Sequence, residues 1–361
     1  MMDVLRVLPQ LRQHHVETAD PAGGDRVTVF LAPSYETTSA APPRARQVSG
    51  RGMLRAVWGS DARVLEIWEP LWMRHLALHA AVVATWKAAS LVRRGRQRPV
   101  VAHAMENADL TALLGAGRHV PGSVERAAAF FLGRYARWSL SRVVFATPSS
   151  RDLYLRLPGA AGVPARLVLD LPTAAPETSD GKGVVFVGLA AEHKGVRDLL
   201  RAWPAVEAAN ASARLVLVGD GPLSAEIVSW CSERPSSRAF RGALPRDEAL
   251  AEVESAAVLA APSRPRRRWR EQVGLPIREG LRAGRTIVTT NETGLAPWLS
   301  EHGHRVVATG DVEALAQALV GALETPLDPD DVRAALPSVD SRVRATAELY
   351  EGLVPWPEPR A

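Results

Sequence analysis

Cysteine is nearly missing from this 361-residue chain, in which Cys231 stands alone. A lone thiol has no intrachain partner, so a disulfide scaffold is excluded, and the count fits a reducing compartment. Long apolar runs are missing as well. The longest, about Leu76–Trp86, is interrupted by His79, whereas a membrane-crossing helix needs about 20 apolar residues. The opening Met1-Met2-Asp3-Val4-Leu5-Arg6 has no extended apolar core, so no signal peptide is expected. Charge of one sign is barely in excess, with 44 Lys+Arg against 39 Asp+Glu and a formal net charge of +5. The sequence pI of about 9.8 reflects arginine standing where lysine is scarce. There is no G-X-Y period and no short repeat, which excludes collagen-like and repeat architectures. No His/Cys/Asp cluster has metal-ligand spacing, and no nucleophile-elbow serine motif occurs.

What is present is ordinary globular material, 47% hydrophobic and 23% charged, with length for about two domains. Short β-branched runs at Val4–Leu8, Val27–Leu31, Val64–Ile67, Val100–His103 and Val143–Ala146 read as strands. Leu76–Leu91 and Val124–Leu140 carry helical spacing between them. Alternation of this kind predicts an α/β domain with a parallel sheet. Leu171–Gly183 (LPTAAPETSDGKG) has no apolar period and reads as a linker. The alternation then restarts. Strands are predicted at Val184–Val187, Leu215–Val218, Ala257–Ala260 and Thr286–Thr289. Helices are predicted at Val196–Ala208, Ser224–Cys231, Leu275–Arg282 and Val312–Leu323. Two α/β domains around a cleft follow, with ligands expected at the carboxyl ends of the strands.

Glu271-Gln-Val-Gly274-Leu275-Pro276-Ile-Arg-Glu279 is the most informative segment. Proline suits a first helical turn, so a helix should begin beside Pro276 and leave free backbone N–H groups. Those groups and the helix dipole favour an anion such as a phosphate. Glu271 precedes the glycine and Glu279 lies one turn inside the helix, so both carboxylates can flank one ligand and accept hydrogen bonds from its hydroxyls.

Other pieces surround this one in a fixed order: Val184-Val-Phe-Val-Gly188, Lys194-Gly195, Leu215-Val-Leu-Val-Gly219-Asp220-Gly221-Pro222, Pro262-Ser263, Trp269-Arg270-Glu271-Gln272, and Thr286 to Gly294. Taken together, from about Val184 to Tyr350, they resemble the retaining glycosyltransferases of family 4. The resemblance implies the GT-B architecture, two Rossmann-like domains facing a central cleft. It implies a metal-independent hexosyltransferase-type enzyme that retains anomeric configuration and uses a UDP- or GDP-linked nucleotide sugar as substrate, with no cofactor. Position by position, it implies that Glu271 contacts the donor sugar and Glu279 the ribose hydroxyls. Gly188 and the amides at Gly274 and Leu275 would face the diphosphate, and Lys194 would neutralise the leaving group. Arg241 is a candidate for the base pocket, a plain turn being the alternative. His103 ends its strand where the family places a histidine facing the transferred sugar, though Glu106-Asn107 is an alternative occupant of that space. The corresponding division is 1–172 for an acceptor-binding domain, 173–182 for a linker, 183–337 for the nucleotide-sugar-binding domain, and 338–361 for a helix returning to the first domain. The acceptor is open among natural-product aglycones or aminocyclitols, lipid-linked sugars and polysaccharides.

Three departures stand out. Leu189 occupies the position where the family has arginine, removing a cation from the diphosphate; an arginine from Arg264–Arg270 is the candidate substitute. Trp298 stands where the family has glutamate. The N-terminal segment is short of a glycine loop and first helix, with Gly23-Gly24 read as a turn before a strand and Pro9-Gln10 as the loop after the first strand. These departures set up the alternative of a catalytically impaired, glycosyltransferase-like nucleotide-binding or regulatory protein. Two arginine clusters, Arg93–Arg98 and Arg264–Arg270, raise nucleic acid as a partner, but no nucleic-acid module accompanies them and none is expected. In Val124–Leu140 the aromatics Phe130, Phe131, Tyr135 and Trp138 are expected to pack in the core. Peripheral membrane contact is the alternative for this basic helix. Localisation is expected to be cytoplasmic, with or without membrane association, in a biosynthetic role.

Overall fold

The computed structural model describes residues 3–12, 15–16, 26–34, 41–176 and 181–354. It divides into two units, one of Met1–Leu169 with Arg342–Ala361, the other Asp170–Ser341. Gly23 and Gly24 lie outside the described residues.

The first unit runs β1 (Val4–Leu11), β2 (Arg26–Pro33), β3 (Ala45–Gln47), α1 (Gly50–Gly59), β4 (Val64–Trp68), α2 (Leu76–Arg94), β5 (Val100–Ala104), α3 (Leu110–Gly115), α4 (Gly122–Ser139), β6 (Arg142–Phe145), α5 (Pro148–Leu155) and β7 (Ala165–Leu167). The second runs β8 (Val184–Val187), α6 (Val196–Ala209), β9 (Leu215–Val218), α7 (Ser224–Glu233), β10 (Arg238–Gly242), α8 (Arg246–Ser255), β11 (Val258–Ala261), α9 (Leu275–Arg282), β12 (Thr286–Thr290), α10 (Ala296–Glu301), β13 (Arg305–Val307), α11 (Val312–Glu324) and α12 (Pro329–Ala334). A last helix, α13 (Ser341–Tyr350), belongs to the first unit from Arg342 onward.

Both sheets are parallel throughout. Their strand orders are β3-β2-β1-β4-β5-β6-β7 and β10-β9-β8-β11-β12-β13. Continuous apolar runs make them so, because strands covered on both faces need no alternation; β4 and β5 are buried at every residue. Each order reverses once, between β1 and β4 and between β8 and β11. Residues just past those strands are therefore the natural ligand positions in each unit.

Pro9 and Gln10 lie inside β1, not in a loop after it. The pairing explains why proline is tolerated. β1 keeps its register with β4 only to Val7↔Ile67, while with β2 it continues to Leu11↔Pro33. Pro9 thus sits where β1 has one partner left and a missing N–H costs little.

The core-packing expectation for the α4 aromatics is also corrected. Leu132, Gly133, Ala136 and Ser139 form the buried face, while Phe130, Phe131 and Trp138 are exposed. Gly133 dictates that choice, because a Cβ there would lie 2.2 Å from the carbonyl oxygen of Pro158. Only a glycine face lets the helix approach that closely; Phe130, Phe131 and Trp138 are turned outward, while Tyr135 is half-buried.

The Arg93–Arg98 cluster does not form one solvated face. Arg93 and Arg94 bind the Asp61 carboxylate. Arg98 is buried, lies over the Trp86 ring at 3.6 Å and donates to the carbonyls of Ser60 and Ala62. Burial lowers its pKa to about 10. Cys231 is buried in the core of the second unit, and burial raises its thiol pKa.

The segment between the sheets is tied to the second unit. Asp170 accepts from Arg278, which also binds Asp340 at 2.6 Å. Ala175 N–H donates to Arg282 O at 2.9 Å. α13 lies on the first sheet, where Leu349 and Tyr350 are buried with Val4, Val64, Val101 and Val144.

Candidate functional site

The start of α9 organises the site in the second unit. Gly274 is its N-cap residue, with φ of 89°, and proline follows within the first turn. The left-handed conformation there favours glycine, and it leaves the first N–H groups of the helix, Leu275 included, without intrahelical acceptors. The preceding loop is pinned from the next turn of chain. Thr293 Oγ1 donates to Val273 O at 2.8 Å, and Gly294 N–H donates to Gln272 O at 2.8 Å.

Three of the expected residues meet at this helix end. Lys194 Nζ donates to Glu271 Oε2 at 2.7 Å. The Glu271 carboxyl carbon is 3.7 Å from where a Cβ on Gly274 would stand. Ser263, which follows β11, donates its hydroxyl to the same Oε2 at 2.8 Å. Lys194 also sits 4.8 Å from the centre of the Trp269 ring, and His193 meets that ring edge-on at 4.5 Å. Burial lowers the His193 pKa, and Lys194 and Arg266 lower it further. A cation, a carboxylate and a helix N-terminus thus converge at the β8/β11 switch point.

Lys194 owes its place to Gly195. That residue has φ of 72°, and a Cβ would lie 1.7 Å from Pro262 O. The lysine turn therefore rests directly on the backbone leading to Ser263. Gly195→Ala should cost the second unit about 2 kcal/mol or more, from left-handed strain plus displacement of that backbone. Urea unfolding measures it, and an unchanged midpoint would mean that the Pro262 strand end yields freely.

Glu279 stands on α9 and pairs with Arg246 Nη1 at 3.0 Å. Arg246 opens α8 and had no signal in the sequence, because the pairing depends on how two distant helices lie. Gly188 follows β8, and its N–H donates to Val218 O at 3.0 Å. Arg241 is exposed at the end of edge strand β10 and pairs with Glu252 of α8 at 3.0 Å. In the Arg264–Arg270 loop, Arg264 reaches Asp198 at 2.9 Å and Arg270 reaches Glu292 at 3.0 Å. Arg266, by contrast, is exposed and close enough to act on His193. Trp298 lies on α10 and stacks on His302 at 3.9 Å.

In the first unit the expected residues fall at the end of β5 and just after it. His103 is buried, stacked on Trp68 at 4.5 Å, with Nε2 3.8 Å from Glu66 Oε1. It is drawn toward a buried charge network that sequence reading had not anticipated. Glu106 is buried and accepts from Ala108 N–H at 2.9 Å. Glu69, just after β4, accepts from the amides of Met105 and Glu106 at 2.7 Å each. Its pKa is raised, first by burial and then by the Glu106 carboxylate. Two buried carboxylates therefore hold the turn that follows His103.

Among the described residues, no group of three His, Cys, Asp or Glu is placed to hold a metal ion. No helix among them is long and apolar enough to cross a membrane.

Residues 181–325 match the family model described as Glycosyl transferases group 1. No curated protein matches the chain by sequence. Among solved structures, HepE of Anabaena in complex with UDP and glucose is similar over 96% of this chain and 95% of its own, at 12% identity and a TM-score of 0.59. The sucrose-phosphate synthase of Thermosynechococcus elongatus is similar over 97% of this chain and 96% of its own, at 15% identity and a TM-score of 0.60. WaaG, a glycosyltransferase involved in lipopolysaccharide biosynthesis, is similar over 97% of this chain and all of its own, at 14% identity and a TM-score of 0.60. At such identities the likeness is one of fold, two parallel-sheet Rossmann-like domains of the GT-B type.

Proposed function

We propose, from a second unit whose residues 181–325 match the group 1 glycosyl transferases, that this chain moves a sugar from a nucleotide-sugar donor to an acceptor, with retention at the anomeric carbon. The observation that carries this reading is the meeting of Lys194, Ser263 and Glu271 at the N-terminus of α9. A diphosphate at that end gains the Lys194 charge and the free amides of Leu275 and its neighbours, electrostatic work that a divalent cation performs elsewhere. Glu279 then takes the ribose hydroxyls, sharing its carboxylate with Arg246. Glu271 takes the donor sugar. An arginine of the Arg264–Arg270 loop would supply the cation that Leu189 lacks, Arg266 being the one whose charge acts on His193 beside Lys194. HepE, solved with UDP, supports a uridine donor over a guanosine one. His103 and the Glu69–Glu106 turn would border the acceptor in the first unit, whose chemistry leaves the acceptor class open.

The test is thermal stabilisation by a panel of nucleoside diphosphates and their sugars. A ligand at 100 times its Kd adds about 2.7 kcal/mol to the folded state. One nucleotide is expected to raise Tm in the native chain and to lose most of that effect in Glu279→Ala. No shift with any nucleotide would overturn the donor site. A shift without release of nucleoside diphosphate from any sugar donor would instead favour the nucleotide-binding relative that Leu189 and Trp298 suggest.

A further inference from the structure

We propose that the outward face of α4 is a docking surface for an anionic lipid bilayer. The helix turns Val124, Phe131 and Trp138 to solvent at successive two-turn intervals, so they lie along one line. Phe131 is 69% exposed and Phe130, its ring neighbour, 52%. Exposed aromatics in a contiguous row mark an interaction surface. The helix cannot roll them inward, because Gly133 is seated against the Pro158 carbonyl on the opposite side. The row continues onto α2. Lys87 Nζ lies 5.5 Å from the Trp138 ring centre, and Leu91, one turn further along α2, is 54% exposed with Val92 beside it at 73%.

Charge chooses the occupant. Arg126, Arg134 and Arg137 are exposed along the same helix, and Glu125 is its only acidic residue, half-buried. Arg118 is exposed just before it. A second copy docking by the same face would set these arginines against their own equivalents. An anionic membrane surface meets both features at once, since phenylalanine and tryptophan side chains enter the headgroup boundary while arginines pair with lipid phosphates. None of these side chains belongs to the donor site, so the proposal stands or falls independently of the enzymatic reading.

The experiment is co-sedimentation of the full chain with sucrose-loaded vesicles. One set is pure phosphatidylcholine and another contains a third phosphatidylglycerol. The native chain is expected to sediment with the anionic vesicles, weakly with the neutral ones, and less as salt rises. Phe130→Ser with Phe131→Ser should weaken that binding at least tenfold, because each buried phenyl ring supplies a large part of the partition energy. Arg126→Gln with Arg134→Gln should erase the preference for anionic lipid. Both pairs lie on the surface, and an unchanged Tm shows that they leave the fold intact. Absence of binding, equal binding to both vesicle types, or equal binding by the phenylalanine variant would each overturn the proposal. A native dimer that the phenylalanine variant converts to monomer would overturn it in favour of self-association.

Discussion

Glu66→Ala should destabilise the first unit by about 3–5 kcal/mol, the cost of leaving buried charges without their partner. Domains of this size carry about 5–15 kcal/mol in total, so the variant should lose a large share of its stability and unfold at a clearly lower urea concentration. Glu66 is fully buried in the middle of β4. Its carboxylate accepts from Arg6 Nε at 2.9 Å, from Trp68 Nε1 at 2.7 Å and from the Tyr350 hydroxyl. Arg26 Nη1 is 3.9 Å away. Removing the carboxylate takes a charged partner from Arg6 and Arg26, both buried, and removes the bond that Tyr350 of α13 makes to the sheet. Tyr350→Phe removes one bond to a charged group and should cost about 1.5–3 kcal/mol. Burial alone would raise the Glu66 pKa; Arg6 and Arg26 outweigh it and hold the carboxyl well below the ordinary range. The folded state therefore binds fewer protons than the unfolded one. The stability Glu66 contributes is present above the ordinary carboxylate range and is lost as pH falls below it. Urea unfolding of the native chain, Glu66→Ala and Tyr350→Phe across that range measures both effects. A cost under about 1 kcal/mol for Glu66→Ala would show that water reaches Arg6 and Arg26.

This network marks where sequence reading stops. Val184–Val187, Leu215–Val218 and Leu275–Arg282 were legible to the residue, because apolar runs bounded by glycine and a proline in a first turn leave few alternatives. Lys194 and Glu271 were assigned to one site only through the family resemblance; the direct bond between them had no signal along the chain. Arg6, Arg26 and Glu66 look like interruptions in apolar strands when read along the chain. They become partners only through the register that pairs Arg6 with Thr28 and with Glu66. The Arg246–Glu279 pair is invisible for the same reason. β3, β7 and β13 have three residues each, too few to show a period of two. The aromatics of α4 announced a stripe, but a stripe does not say whether protein covers it; a single contact, Gly133 against Pro158, decides that.

Glu271→Gln is expected to slow sugar transfer by about 10²–10³-fold while changing donor affinity by only a few-fold, the signature of an interaction made mainly in the transition state. As the bond to the diphosphate stretches, negative charge grows on the leaving oxygen and positive charge on the anomeric centre. In the proposed reaction Lys194 and the α9 amides would meet the first, and the Glu271 carboxylate the second. Glutamine keeps the size and one acceptor oxygen but loses the charge that Lys194 and Ser263 now hold in place at 2.7 and 2.8 Å. Ser263→Ala removes one neutral donor and should cost about tenfold, since a hydroxyl bond to a carboxylate contributes about 1.5 kcal/mol at the low end. Glu279→Ala should behave in the opposite sense, weakening donor binding and affecting turnover less, because ribose hydroxyls stay bonded throughout the reaction. The readout is nucleoside diphosphate released from a sugar donor, followed as slow transfer to water so that no acceptor need be known. Equal rates for native chain and Glu271→Gln at saturating donor would remove Glu271 from the chemistry and leave Lys194 and α9 as a binding site only.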